Sequence, residues 1–157
     1  ELVSQLDTLR EEIITKMSAI TMPALRDEAL THTLGVCECM ALLARIRDLD
    51  PLLCMSMGLL HDCALYLHNC PHQGHAQKSA ALAKSLLQAH GYAPAEIEQI
   101  CTAIAHHSDK GQRHDAYSEA LKDADILERW LREKDAPLSD ARRIRLIALC
   151  RQLQLHP

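Results

Sequence analysis

Apolar residues recur at intervals of three and four along most of the chain, which is the spacing of amphipathic helices. Leucine, isoleucine and methionine follow this spacing over residues 1 to about 20 and predict a first helix. Pro23 fits the first turn of a second helix, which is predicted to run to about Arg47. Asp50 followed by Pro51 is typical of a helix cap and a first-turn proline, so a third helix is predicted to start there.

The second half of the chain continues the same pattern after a predicted loop over residues 69 to 74, which contains a proline and a glycine. Four more helices are predicted, over about residues 75 to 90, 94 to 107, 117 to 133 and 139 to 153. Phenylalanine is absent and aromatic residues make up only 3% of the sequence, whereas helix-forming residues are common. The sequence therefore predicts an all-α fold, a compact bundle of six to seven helices, in a single domain over residues 1 to 157.

Charge and composition narrow the class of protein. The net charge of −4 argues against a nucleic-acid-binding surface. We expect no membrane span, because no apolar run reaches about 18 residues. The chain opens without a signal-peptide pattern, and its seven cysteines are scattered through predicted helices. We therefore expect a cytoplasmic protein with a reduced interior, and the sequence leaves its oligomeric state open.

Several ionisable residues interrupt the apolar faces of these helices. His61 and Asp62 end an apolar run over residues 52 to 60 that carries no other charge, and burying such a pair is costly unless both groups are paired. A lone histidine on an apolar face is usually a core residue, and an aspartate in a helix usually faces solvent. Their joint occurrence favours a site for iron, manganese, cobalt, nickel or zinc, which imidazole and carboxylate ligands suit. The candidates are His32, His61, Asp62, His107 and either Asp123 or Asp125.

The order His, His-Asp, Asp resembles the HD superfamily of metal-dependent phosphohydrolases. The segments that carry the resemblance are residues 31 to 36, 59 to 62 and 121 to 127, and it extends over a core of about residues 25 to 132. The resemblance implies an HD-type bundle in which His32, His61, Asp62 and a late aspartate bind one metal ion.

The late aspartate has two candidates. Asp125 matches the position that the resemblance implies, whereas helical periodicity places Asp123 nearer the apolar face of its helix. We assign Asp125 as the ligand, because a helix that began only just before it would make the count along the apolar face misleading. Asp123 would then orient a ligand or face the substrate.

The resemblance also implies a second metal ion, with Asp62 bridging the two. His75, at a predicted helix start, and His107 match the additional ligand positions. We therefore expect one or two divalent ions, with a dinuclear centre favoured. His106 lies about 100° round the helix from His107 and is expected to contact a metal-binding side chain, the substrate or solvent rather than a metal ion.

The resemblance implies that metal-activated water cleaves a phosphate ester or anhydride, with a nucleotide as the expected small-molecule substrate. Many members carry a lysine three positions after the aspartate of the His-Asp pair, where this chain has Leu65. Lys78 and Lys110 are the candidates to bind phosphate instead, beside Asp62 as the catalytic bridging residue. Two alternatives remain: a di-iron oxygenase on the same fold, and a non-catalytic metal-binding or sensor module.

Overall fold

The computed structural model describes residues 2–156, which form eight α-helices and contain no β-strand. In chain order these are α1 (Leu2–Ser18), α2 (Pro23–Arg47), α3 (Pro51–Leu60), α4 (Cys63–Leu67), α5 (His75–Ala89), α6 (Pro94–His106), α7 (Ala116–Arg132) and α8 (Asp140–Leu153). Because only His61 and Asp62 separate α3 from the single short turn of α4, the two are one interrupted helix. Counted that way, the described residues form seven helices, and the predicted all-α bundle is confirmed.

Polar side chains cap the first turns of α3 and α8, close to their predicted starts. The carboxylate of Asp50 accepts hydrogen bonds from the backbone N–H groups of Leu52 at 2.9 Å and Leu53 at 3.3 Å, and Pro51 opens α3. The Ser139 hydroxyl likewise accepts from the backbone N–H of Arg142 at 3.3 Å and caps α8. These caps satisfy N–H groups that have no partner inside the helix.

Helix α7 has close to its predicted bounds, but the reason given for choosing Asp125 over Asp123 was wrong. Asp115 caps α7, which begins at Ala116, so the helix does not begin just before Asp125. Both Asp123 and Asp125 therefore lie well inside α7. Because α7 packs against α2, α3, α6 and α8, most of its circumference is buried, and periodicity alone could not identify the face that carries the site.

A close crossing of α2 and α3 sets the geometry of the bundle centre. A Cβ atom on Gly58 would lie 2.7 Å from the Cα atom of Cys37 and 2.8 Å from its backbone nitrogen, which is closer than atoms can approach. The glycine thus allows the two helix backbones to touch. This contact brings His61, three residues after Gly58, against His32 on α2.

Helix α2 has its predicted bounds, and its apolar composition bears on the expectation of no membrane span. An 18-residue window within Pro23–Arg47 has a mean hydropathy of 1.3, so by length and composition the helix is able to cross a membrane. Its buried residues include Val36, Met40 and Leu43, and it packs against α3 and α7. This packing in the bundle accounts for the apolar composition of α2.

Candidate metal centre

Separate helices bring imidazole and carboxylate groups together in the middle of the bundle. His61 and Asp62 form the turn between α3 and α4, and His107 follows the last residue of α6. The remaining members, His32, His75 and Asp125, come from α2, the first residue of α5 and α7. Four of the six are buried, whereas His75 and Asp125 are partly exposed. The groups divide into two clusters that share Asp62.

The first cluster comprises His32, His61, Asp62 and Asp125. The Nε2 atom of His32 lies 3.2 Å from Nε2 of His61 and 2.9 Å from Oδ1 of Asp125. Oδ2 of Asp62 lies 3.2 Å from Nε2 of His61 and 3.5 Å from Nε2 of His32. Four potential metal-binding atoms thus surround one position.

The second cluster comprises Asp62, His75 and His107. The Nε2 atoms of His75 and His107 lie 3.3 Å apart. Oδ1 of Asp62 lies 3.2 Å from Nε2 of His75 and 3.0 Å from Nε2 of His107. Asp62 therefore directs one carboxylate oxygen to each cluster. Although it occupies the N-cap position of α4, its side chain makes no capping hydrogen bond there.

Helix ends fix the orientation of two of the histidine rings. His61 and His107 stand at the C-caps of α3 and α6, where the last carbonyl groups lack partners within the helix. Nδ1 of His61 donates to the carbonyl of Gly58 at 2.8 Å, and Nδ1 of His107 donates to that of Ile104 at 2.7 Å. Because a carbonyl oxygen only accepts, each Nδ1 carries the proton and each neutral ring keeps a lone pair on Nε2.

Each cluster consequently presents acceptor atoms to its own centre. When the rings are neutral, the Nε2 lone pairs of His32 and His61 face each other, and so do those of His107 and His75, whose Nδ1 donates to the carbonyl of His72 at 2.6 Å. Lone pairs that face each other beside carboxylates repel unless a cation lies between them. Atoms bonded to one first-row ion at about 2.0–2.2 Å and about 90–110° apart lie about 3.0–3.5 Å from one another. The residues present therefore fit a divalent ion at each cluster.

The electrostatics of the clusters agree with this fit. Burial by itself lowers the pKa of His32, but hydrogen bonds to carboxylates, Asp125 foremost, outweigh it and raise the pKa to about 11. Burial also lowers the pKa of His61, but the charge of Asp62 and further carboxylate contacts raise it to about 9. The raised pKa values reflect buried carboxylates that favour positive charge at this cluster, and a metal ion would supply that charge. In the second cluster, burial lowers the pKa of His107 against the opposing pull of Asp62 and favours the neutral, metal-binding ring.

Lys110 lies in the centre, but its ammonium group is directed at protein atoms. Its Nζ donates to Oδ2 of Asp125 at 2.7 Å and to the carbonyl of His107 at 2.6 Å, and the side chain is buried. It therefore holds the Asp125 oxygen that faces away from His32. This arrangement differs from the phosphate contact expected from the sequence.

Lys78 and Leu65 occupy different environments. Lys78 is exposed on α5, one turn after His75. Leu65 is partly buried on α4 and packs against the hydrophobic core, so it offers no polar group to a ligand. Of the two lysines singled out from the sequence, Lys78 has the ammonium group that is accessible from solvent.

The structure separates Asp123 and His106 from both clusters. Asp123 faces α8 and the end of α2, where its carboxylate accepts from Arg47 at 2.7 Å and Arg145 at 3.3 Å. His106 stacks on His114 with ring centroids 3.8 Å apart. Neither side chain contacts a member of the two clusters, and a contact of either with the substrate stays a prediction.

Sequence reasoning missed Glu128, whose Oε1 accepts a hydrogen bond from Nδ1 of His32 at 2.5 Å. Burial raises the pKa of Glu128, but hydrogen bonds from His32 and Arg132 outweigh it and bring the pKa to about 2. A signal was present in the sequence, because Glu128 follows Asp125 by three positions and residues at that spacing share a helix face.

Comparisons with known proteins identify the family of this chain. The model of the HD domain matches residues 29–130, which is more than half of the chain, and the chain therefore belongs to the HD-domain family. Among solved structures, it is similar to a predicted HD superfamily hydrolase from an uncultured Thermotogales bacterium, at 20% sequence identity and a TM-score of 0.63. The superposition covers 96% of this chain and 86% of that chain, and it confirms the HD-type fold. No significant match was found among curated proteins.

Proposed function

We propose that the protein is a metal-dependent phosphohydrolase that cleaves a phosphate ester or anhydride of a nucleotide. The observation that carries the proposal is the pair of imidazole and carboxylate clusters that share Asp62, each with the dimensions of a divalent-ion site. Paired divalent ions bridged by a carboxylate are the usual means of in-line displacement at phosphorus. Membership of the HD-domain family and the likeness to an HD superfamily hydrolase support hydrolysis as the reaction class.

The residues of each of the two clusters would together bind one metal ion. His32, His61, Asp62 and Asp125 would hold one ion, and Asp62, His75 and His107 would hold the other. When bound, the ions would acidify a water molecule and neutralise phosphate oxygens. The second cluster offers three protein atoms rather than four, so it leaves more room for the substrate.

A cationic group beside the centre would help to bind the phosphate. Leu65 supplies none, and the ammonium group of Lys110 is already paired with Asp125. Lys78 is exposed one turn after His75 and is the better candidate to contact a phosphate group of the substrate. Because its charge would bind substrate and transition state alike, its loss should raise KM more than it lowers kcat.

The test is a substrate screen under anaerobic conditions with the Mn²⁺-reconstituted full chain. Nucleoside mono-, di- and triphosphates, dinucleoside polyphosphates and a simple phosphomonoester are each followed by chromatography for new phosphate-containing products. We expect hydrolysis of at least one nucleotide, and we expect Asp62→Ala to abolish it. The matched control is Asp109→Ala, which removes an exposed carboxylate outside both clusters.

The same screen includes Lys78→Met, with Lys84→Met as the control because Lys84 is exposed farther along α5. We expect a higher KM in the first variant and an unchanged KM in the second. Turnover only with iron and dioxygen would replace the hydrolase by the oxygenase alternative. Metal binding without turnover of any phosphate compound would favour the sensor alternative.

A further inference from the structure

One of the four clustered histidines has a different partner from the other three. Nδ1 of His61, His75 and His107 each donates to a backbone carbonyl, whereas Nδ1 of His32 donates to the carboxylate of Glu128. A carboxylate acceptor makes an imidazole a more basic ligand than a carbonyl does, and it fixes the plane of the ring. His32 is therefore electronically distinct among these histidines.

Glu128 is itself held in place from the outside of the bundle. Arg132, one turn along α7, donates from Nε to Oε2 at 2.9 Å and from Nη2 to Oε1 at 3.0 Å. Glu28 on α2 then accepts from Arg132 Nη1 at 2.8 Å and from Nη2 at 3.2 Å. The buried ring of His32 is thus connected to the protein surface by an alternating series of charges across α2 and α7.

Gly35 provides the space that the Glu128 side chain occupies, which independently supports a specific role for the position of that side chain. A Cβ atom on Gly35 would lie 2.6 Å from Cγ of Glu128, so any larger residue would force the Glu128 side chain aside. Gly35 lies in the interior of α2, three residues after His32, where glycine is unfavourable for the helix. The space left by Gly35 allows Glu128 to reach Nδ1 of His32.

We propose that Glu128 is a positioning residue that sets the affinity of the first cluster for its metal ion by orienting His32 and increasing its basicity. The proposal rests on the metal centre of the proposed function and goes beyond it, because Glu128 belongs to neither cluster. It makes the two metal positions unequal, since the rings of the second cluster have no carboxylate behind them.

The experiment uses a His75→Ala background, in which only the first cluster is complete. Mn²⁺ binding to the full chain is measured by titration calorimetry or equilibrium dialysis. Removal of such a supporting group typically weakens metal binding by about 10–100-fold, and we expect a loss of that size for Glu128→Gln. We expect a loss in the same direction for Gly35→Ala, which displaces Glu128 without changing its charge.

The matched control is Glu133→Gln, because Glu133 is exposed, lies 3.4 Å from Arg132 and does not contact His32. We expect it to leave the Mn²⁺ dissociation constant unchanged, and circular dichroism verifies that each variant is folded. An unchanged Mn²⁺ dissociation constant in folded Glu128→Gln, or an equal loss of Mn²⁺ affinity in the control, would overturn the proposed role of Glu128 but not the metal centre. A His75→Ala parent that binds no Mn²⁺ would overturn the metal centre itself.

Discussion

Lys110 is the residue whose observed contacts differ most from its sequence-based interpretation. Its ammonium group contacts a side chain of the first cluster, Asp125, and the backbone of a residue of the second, His107. Its own carbonyl accepts from Arg145 Nε at 2.8 Å, which fixes the loop after α6 to α8. Lys110 therefore compensates the charge of Asp125 and orients its carboxylate.

Lys110→Met should destabilise the metal-free protein, because it leaves Asp125 without its cationic partner. Breaking a buried ion pair by removing one partner typically costs about 3–5 kcal/mol, and since Asp125 is partly exposed we expect about 2–3 kcal/mol. Urea denaturation in the presence of a chelator measures the effect. Lys84→Met is the surface control and should stay within about 0.5 kcal/mol of the parent. Equal stability of the two variants would contradict this role and restore the phosphate contact as the better interpretation.

At the scale of single residues, the sequence identified which side chains cluster, but not which neighbouring side chains hold them in place. His32, His61, Asp62, His75, His107 and Asp125 were all singled out from it, and the structure brings them together. Their roles as ligands stay predictions. The choice between Asp123 and Asp125 followed the family resemblance, whereas the periodicity pointed to Asp123. The contacts of Lys110 and Glu128 depend on which helices pack side by side, and local sequence does not specify that.

At the scale of helices, the close contact of α2 and α3 determines the distance between the first two histidines. Gly58 makes that contact possible, since its missing side chain would overlap the backbone of Cys37. Gly58→Ala should force the helices apart, and overpacking of this kind typically costs about 1–3 kcal/mol.

The measurement for Gly58→Ala is again urea denaturation, accompanied by Mn²⁺ binding, which should weaken because His61 moves with α3. Gly111→Ala is the control, because a Cβ atom there meets nothing within 4 Å. A stable Gly58→Ala variant with undiminished Mn²⁺ affinity would show that the two helices tolerate a wider separation.

Glu119 of α7 connects the loop that carries Lys110 to α7 and α8. The Glu119 carboxylate accepts hydrogen bonds from Lys122 at 2.7 Å, from Arg145 at 3.0 Å and from the backbone N–H of His114 at 3.1 Å. Burial raises the pKa of Glu119, but these hydrogen bonds and charges outweigh it and lower the pKa from 4.5 to about 2. A lowered pKa in the folded state means that the ionised group stabilises the fold at neutral pH.

Glu119→Gln should therefore be less stable than the parent at pH 7, by an amount on the order of 2 kcal/mol. Because the stabilisation is lost as pH falls through the folded-state pKa, the difference should shrink between about pH 4.5 and pH 2. Chelator-treated proteins are compared by denaturation over this range. A difference that does not depend on pH would mean that Glu119 stabilises the loop by packing rather than by charge.

Local signals explain why the helices could be predicted while the faces of one helix could not. Asp50 with Pro51, and Pro23, marked helix starts within the first turn, because capping and proline geometry act over a few residues. Helix α7 buries charged residues such as Lys122 and Asp123 as well as apolar ones, so its apolar pattern does not mark the face that carries Asp125. The two segments that flank the His-Asp pair were read as one helix, and the turn at the pair became visible only in three dimensions.

At the scale of the molecule, the centre depends on elements beyond the HD-domain match over residues 29–130. Arg145 of α8 lies outside that match, yet it contacts the carbonyls of Lys110 and Gln112. Arg132 also lies outside it and holds Glu128 in place behind His32. The C-terminal part of the chain thus supports the buried groups from behind, while the HD core supplies the clustered residues themselves.

The most direct test of the two-metal centre is the number of Mn²⁺ ions bound per chain, measured by elemental analysis after reconstitution and removal of free metal. The two clusters bridged by Asp62 predict two ions in the wild-type protein, one in His75→Ala and none in Asp62→Ala. A wild-type protein without a stoichiometric metal ion, or an Asp62→Ala variant with the full wild-type content, would contradict the account.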